Sequence, residues 1–153
     1  MRRADGIDSR ACILIDNVFR LGCFGEHVRS QQVVLSALGI KRTNPANPWS
    51  ALASPPDFSS RTGAMLVNAM RQHSLARVIA VSAAGVADSA ARMNLLMKFF
   101  VAKSNVGIGY RDLAAMERVF ADSGFDWCCP RPTRLTNGPL TRRVKLSLSG
   151  ASG

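Results

Sequence analysis

The sequence predicts an α/β fold, a parallel sheet flanked by helices. Three short apolar runs, at 32–36, 77–81 and 125–129, lack the alternation of a half-buried strand, which is typical of strands buried on both faces. Helical patterns separate the runs, as parallel strands require. Each run leads into small, hydroxyl-bearing, Gly or Pro residues. Because open parallel sheets bind ligands beyond the carboxyl ends of their strands, we expect the site there.

The composition predicts a single folded domain. The 153 residues suffice for one core, and 47% hydrophobic with 20% charged residues are globular values. No apolar run reaches the roughly 18 residues of a membrane helix, so we predict a cytoplasmic protein with no membrane partner. The net charge of +10 would suit nucleic acid or a phosphate-bearing cofactor. Scattered cations without interleaved aromatics make nucleic acid the weaker alternative.

The N-terminal part gives the weakest pattern. A helix from about Ser9 to Leu21 fits the apolar spacing, with Ser9 as its N-cap, but an unpacked leader fits equally well. The run at 32–36 is the first buried-strand pattern. Four prolines make 40–56 a loop, and a long loop after a strand is often functional. Asp57 is the predicted N-cap of a helix to His73, which leads into the strand at 77–81.

Two further helices are predicted beyond Gly85. The segment from Ala90 to Lys103 has a wide apolar surface, which we expect to be buried in the core or, alternatively, against a partner. The segment from Tyr110 to Ser123 is amphipathic and leads into the strand at 125–129. A last strand is predicted at 144–148.

The cysteines and histidines predict no metal site. The cysteines form no CxxC pair, and neither histidine lies at metal-ligand spacing from them. Cys128 and Cys129 are adjacent on a predicted strand, which favours small core side chains over ligands or nucleophiles.

Several ordered motifs resemble one known family. RVIAVSAAGV at 77–86, DLAAME at 112–117, SGFDW at 123–127 and RPTRLTNGPL at 131–140 occur in the order and spacing of that family, with VLSALG at 34–39 one unit earlier. They resemble the atypical short-chain dehydrogenase/reductases, in the NAD(P)H-binding group of the NmrA-like proteins and flavin/biliverdin reductases. The resemblance implies a partial NAD(P)-binding domain over 31–148, with an incomplete Rossmann-type parallel sheet flanked by helices. A divergent leader at 1–30, in the core or outside it, would precede this domain, and a flexible tail at 149–153 would follow it.

The resemblance also implies the site. The cofactor would be NADP or NAD, with a small-molecule acceptor, in an NADPH-dependent reductase. The matched loops assign cofactor-binding residues after each of three strands: Leu38, Gly39, Lys41 and Arg42, then Ser82 and Ala83, then Pro132 and Thr133. Arg134 would lie on the substrate side, and Ser82 and Tyr110 would be catalytic.

Three departures from the family predict weak or absent activity. No Gly-rich turn is present to hold a diphosphate on backbone N–H groups. The lysine that should follow the tyrosine is replaced by Leu113 or Ala114, and the substrate-side histidines of the family fall at Leu113 and Arg134. We therefore expect a truncated domain that exposes apolar surface. The alternative is a non-catalytic fragment or interaction module that self-associates through this surface.

Overall fold

The computed structural model describes residues 17–19, 23–29 and 31–133, and their fold is the predicted α/β class. The elements in chain order are α1 (Cys23–Val28), β1 (Val34–Ser36), α2 (Phe58–Gln72), β2 (Arg77–Ala80), a 3-10 helix (Ala87–Arg92), α3 (Leu95–Lys103), α4 (Val106–Ala121) and β3 (Asp126–Cys128). Most of the predicted helix at 9–21, the strand at 144–148 and the tail at 149–153 lie outside the described residues. No described helix is long and apolar enough to cross a bilayer.

The three strands form a parallel sheet in the order β1, β2, β3. Val34, Val78 and Trp127 lie at one level across the sheet, and Leu35, Ile79 and Cys128 lie at the next. Because side chains at one level point to the same face, these two levels point to opposite faces. The register therefore divides the strand residues into an inward set and an outward set.

The inward set forms the core with α2 and α4. Val78 and Ala80 are each 1% exposed and pack with Met70 of α2 and Phe120 of α4. Gly63 lets the two helices approach closely, because a Cβ there would lie only 3.2 Å from Cγ of Met116. Val28 of α1 is also buried in this core. The segment before residue 31 thus contributes to packing, while the predicted domain boundaries stay a prediction.

The outward face of the sheet is open among the described residues, which corrects the prediction that these strands are buried on both faces. Leu35 is 72% exposed, Cys128 is exposed, and Arg77 pairs with Asp126 in solvent at 3.4 Å. β3 is an edge of the described sheet and not a central strand. The runs lack alternation because apolar residues also occupy outward positions, so hydrophobicity alone could not tell a covered face from an open one.

The predicted helix from Ala90 to Lys103 is broken into two. The 3-10 helix ends at Arg92, and the extended Asn94 then caps α3 by accepting a hydrogen bond from Met97 N at 2.8 Å. The expected burial is also wrong for the described part of the chain. Leu95, Leu96 and Phe99 are 84%, 79% and 63% exposed, so α3 presents a large apolar face.

The proline-rich loop at 40–56 is tied to α3 and α4. The Trp49 indole N–H donates to the Lys103 carbonyl at 3.0 Å, and its ring packs edge-on against Phe100. The Asn105 amide donates to the carbonyls of Trp49 and Ser50, each at 3.0 Å. An isolated bridge between Arg42 and Leu52 closes the base of the loop. These hydrogen bonds hold the loop against the C-terminal end of α3.

The two adjacent cysteines differ in environment, which leads to a testable difference in reactivity. Cys128 points outward and is exposed, which corrects its prediction as a core residue, whereas Cys129 is half-buried against the core. Burial, aided by the Glu117 carboxylate, raises the pKa of the Cys129 thiol to about 12. Only about one Cys129 in ten thousand is then a thiolate at pH 8.

We expect iodoacetamide at pH 8 to alkylate Cys128 at least about 100-fold faster than Cys129, because the thiolate is the nucleophile. Peptide mass mapping over a time course measures both rates in one sample, and in urea the two rates should converge. Equal rates in the folded protein would contradict the burial of Cys129.

Candidate functional site

The carboxyl ends of the three strands meet at one edge of the sheet, which we call the strand-exit rim (residues 36–39, 82–85 and 130–133). Three backbone hydrogen bonds extend the ladder past the strands. Val81 N donates to Ser36 O at 2.8 Å, Ser82 N to Pro130 O at 2.9 Å, and Ala84 N to Pro132 O at 3.2 Å. The predicted Ser82, Ala83 and Pro132 are thereby brought together, with Thr133 exposed beside them.

Ser82 is the most constrained side chain of the rim. It is 5% exposed, and its Oγ atom has no hydrogen-bond partner among the described residues. A buried hydroxyl without a partner is unfavourable unless a ligand or water completes it. Gly85 follows with φ +88, and a Cβ there would lie 2.5 Å from the sulfur of Met93. The backbone after β2 is therefore fixed in a narrow turn that Met93 covers.

The predicted residues of the first loop lie in two settings. Leu38 lines a cavity of about 220 Å³ with Ser36, between the end of β1 and α2, and Gly39 is exposed beside it. The Lys41 side chain is exposed, and the Lys41 backbone N–H donates to Ser54 Oγ at 2.9 Å. The Arg42 guanidinium donates through Nη2 to Pro45 O at 2.7 Å, while its Nε is buried without a partner among the described residues.

Tyr110 lines a second cavity, an open groove of about 480 Å³ between the 3-10 helix, α3 and α4 that reaches Gly85 of the rim and the adjoining Val86. Ser82 does not line this cavity, so the described structure does not join the two predicted catalytic side chains. The predicted substrate residue Arg134 lies outside the described residues.

Arg131 connects the end of β3 to two other elements, a role that the sequence analysis missed. Its Nε and Nη2 donate to the Glu117 carboxylate at 3.0 and 2.6 Å, and its Nη1 lies 2.6 Å from Asp88. Hydrogen bonding to Glu117 raises the pKa of Arg131, and the same guanidinium lowers the pKa of Asp88. Glu117 lies on the buried face of α4. Because a buried charged residue usually has a charged partner, its position on an apolar face is the sequence signal that could have predicted this ion pair.

The N-terminus of α2 is capped by Asp112, not by the predicted Asp57. Asp57 precedes α2 but makes no side-chain capping bond. Instead, the carboxylate of Asp112, 5% exposed on α4, accepts from Ser59 N at 2.7 Å, Ser60 N at 2.9 Å and Ser60 Oγ at 2.6 Å. The amides that a phosphate could use at this helix N-terminus are therefore already bound to a carboxylate.

These observations decide which parts of a dinucleotide the described residues fit. Small residues and an unpaired Ser82 hydroxyl suit the ring and ribose of a nicotinamide nucleotide at the rim. The start of α2 does not suit a diphosphate, because Asp112 occupies it; Lys41 and Arg42 are the cations nearest in sequence to the end of β1. No group of three or more His, Cys, Asp or Glu side chains in the described ranges could hold a metal ion.

Comparisons with known proteins agree with the fold. A protein-family model described as NAD(P)H-binding matches residues 12–152. The chain is also similar to the crystal structure of a short-chain dehydrogenase/reductase from Veillonella parvula DSM 2008, with a TM-score of 0.59 and 18% sequence identity. That match covers 81% of this chain and 47% of the other, so this chain spans about half the length of that enzyme. None of the curated proteins matches the chain significantly.

Proposed function

The chain belongs to the NAD(P)H-binding family, and from this membership we propose that its strand-exit rim binds the nicotinamide end of NADP or NAD in an oxidoreductase-like domain of the cytoplasm. The observation that carries the proposal is the unpaired, buried Ser82 hydroxyl at a rim where three strand ends are hydrogen-bonded side by side. A carboxamide or ribose hydroxyl would give that hydroxyl the partner it lacks.

The phosphate end of the nucleotide would lie towards Lys41 and Arg42. A dinucleotide that runs from Ser82 past the end of β1 reaches this loop, and the buried, unpaired Arg42 Nε offers a further donor there. Charged donors bind phosphate oxygens more strongly than neutral ones. Since Asp112 fills the start of α2, these cations would take the place of a Gly-rich turn.

We propose that the domain binds the nucleotide but catalyses hydride transfer slowly or not at all. When bound, the nicotinamide supplies hydride to a small-molecule acceptor. The chain's own residues hold the ring against the rim and fix it through Ser82, which is the positioning that hydride transfer requires. Tyr110 lies in a separate cavity, and the position of the family's lysine carries Leu113 or Ala114, so we propose weak or absent catalysis.

We expect NADPH or NADH at about 100 times its Kd to stabilise the fold by about 2.7 kcal/mol, which raises the melting temperature by about 5–10 °C. Ala83→Phe, which fills the rim, should remove most of this rise. The matched control is Ala121→Phe, at the exposed end of α4, where the chain enters β3 at the edge of the sheet opposite the rim. Calorimetric titration measures the affinities of both nucleotides directly.

The loop cations are tested in the same assay. Exchanging both Lys41 and Arg42 for alanine should weaken NADPH binding about tenfold, because two charge-assisted phosphate contacts are lost. If the double variant loses less affinity for NADH than for NADPH, these residues bind the additional phosphate of NADPH. If neither nucleotide shifts the melting temperature of the original chain, the proposed function is wrong.

A second candidate is an interaction module, favoured by the apolar face of α3. Leu95, Leu96 and Phe99 are exposed together on this helix. Exposed apolar patches of this kind often mark protein interfaces. This candidate requires self-association in light scattering that Leu96→Ser abolishes, with no effect of either nucleotide.

A further inference from the structure

The cavity beneath α3 is a second place in the molecule where a ligand could bind, and the strand-exit rim does not account for it. It is an open groove of about 480 Å³, which is large enough to hold a small molecule. Small side chains create the space, with alanines on all three helical walls: Ala87, Ala90 and Ala91 on the 3-10 helix, Ala102 on α3 and Ala114 on α4. A ligand with an apolar body fits such walls.

Two cations from different helices converge on this cavity. The Lys98 ammonium reaches from α3 towards the 3-10 helix, with its Nζ 3.4 Å from Ala91 O. The Arg111 guanidinium folds back over Gly107, since a Cβ on that glycine would lie 3.4 Å from Nη1. Neither forms an ion pair with any residue in the described ranges. Both positive charges are therefore available to a ligand.

The chain segment around Lys98 and Arg111 is rich in positive charge. From residue 89 to residue 111 the chain carries four cations and no Asp or Glu, namely Arg92, Lys98, Lys103 and Arg111. Of the two flanking carboxylates, Asp112 caps α2, and Asp88 pairs with Arg131 and interacts with Arg92, so neither forms an ion pair with Lys98 or Arg111. Two positive charges beside an apolar wall attract an anion and oppose a cation.

We propose that this cavity binds an amphiphilic anion, a molecule with an apolar body in the alanine-lined space and one carboxylate, sulfonate or phosphate at Lys98 and Arg111. Tyr110 lines the same space and offers a phenol to the polar end. The cavity reaches Gly85 of the rim, which brings such a ligand close to a nicotinamide bound there. The role of this ligand as the hydride acceptor rests on the proposed function. Its binding in the cavity does not depend on that function.

The test compares two fluorescent probes that share an apolar body. Anilinonaphthalene sulfonate carries one negative charge, and N-phenyl-1-naphthylamine carries none. We expect the sulfonate to bind at least about tenfold more tightly, and the Lys98→Gln/Arg111→Gln double variant to remove this advantage while leaving the neutral probe within about twofold. Higher salt should reduce the advantage in the same way.

Cavity-filling variants separate this site from the outer face of α3. Ala91→Trp and Ala102→Trp place bulk at two exposed wall positions and should each weaken both probes by about tenfold. Leu96→Ser, on the outer face, should change neither, and near-UV circular dichroism confirms that each variant is folded. Loss of binding in Leu96→Ser alone, equal affinity for the two probes, or no binding of either would overturn the proposal.

Nucleotide titrations keep the two proposals distinct. If NADPH and NADH fail to bind while the sulfonate probe behaves as expected, the rim proposal is wrong and the anion site stands. If nucleotide binds and the two probes do not differ, the anion site is wrong and the rim proposal stands.

Discussion

Replacing Asp112 by alanine is expected to lower the free energy of unfolding by about 3 kcal/mol, although Asp112 lies in the middle of the sequence of another helix. Its carboxylate accepts three hydrogen bonds from Ser59 and Ser60, and the alanine would leave two amide N–H groups at the buried start of α2 without a partner. The loss of a negative charge beside the positive end of the helix dipole adds to the cost. Urea unfolding measures the change.

Asp57 provides the matched control for Asp112. It is the residue that precedes α2, yet its side chain makes no capping bond, so Asp57→Ala should change the free energy of unfolding by less than about 0.5 kcal/mol. Asp112→Asn should fall between the two, because an amide keeps one acceptor atom and presents a donor to the other amide N–H. A larger loss for Asp57→Ala than for Asp112→Ala would contradict the cap.

Glu117→Ala is expected to cost about 2–4 kcal/mol, because it removes one partner of a mostly buried ion pair. The side chain of Glu117 is 4% exposed and that of Arg131 18%, so the guanidinium would lose two hydrogen bonds where water reaches it poorly. Arg131→Met should cost a similar amount. The double variant should cost clearly less than the sum, with a coupling energy of at least about 1 kcal/mol in a double-mutant cycle.

The third member of this cluster should behave differently. Asp88 also pairs with Arg131, but its side chain is 64% exposed, and Asp88→Asn should have only a small effect on stability. The Arg131 guanidinium lowers the pKa of Asp88 from its ordinary value of 3.8. Any advantage of the aspartate over Asn is therefore present above the unfolded-state pKa and lost as the pH falls through the lower folded-state pKa. Unfolding curves from pH 7 to pH 3 for both proteins measure this loss.

The sequence predicted the three strands from short apolar runs without alternation, and the helices α2 and α4 from apolar residues at helical spacing. The helix at 90–103 failed because Asn94 is a strong N-cap that starts a new helix inside a continuous apolar pattern. Burial on both faces failed because apolar residues such as Leu35 and Ile79 also occupy the outward level of the strands. The hydrophobicity of a residue indicates that burial would be favourable, but it does not show whether another helix or strand packs over that residue.

The site was predictable only in part. A parallel sheet places its strand ends together, so the convergence of residues 36, 82 and 130 followed from the strand order alone. The roles of Asp112, Glu117 and Arg131 did not, because they depend on contacts between residues as far apart as 53 positions. The family resemblance assigned Tyr110 and Ser82 together, but the side chains lie in separate surroundings. Their roles as binding or catalytic residues stay predictions.

The attachment of the proline-rich loop to α3 makes the two tryptophans reporters of different halves of the molecule. Trp49 is hydrogen-bonded to the last turn of α3, whereas Trp127 belongs to the sheet. An indole N–H held by a carbonyl exchanges with solvent deuterium only when that contact opens. The exchange rate of the Trp49 indole proton, compared in one NMR spectrum with that of a hydrogen-bonded sheet amide such as Val81 N–H, would therefore show whether the helical cover loosens independently while the sheet stays closed.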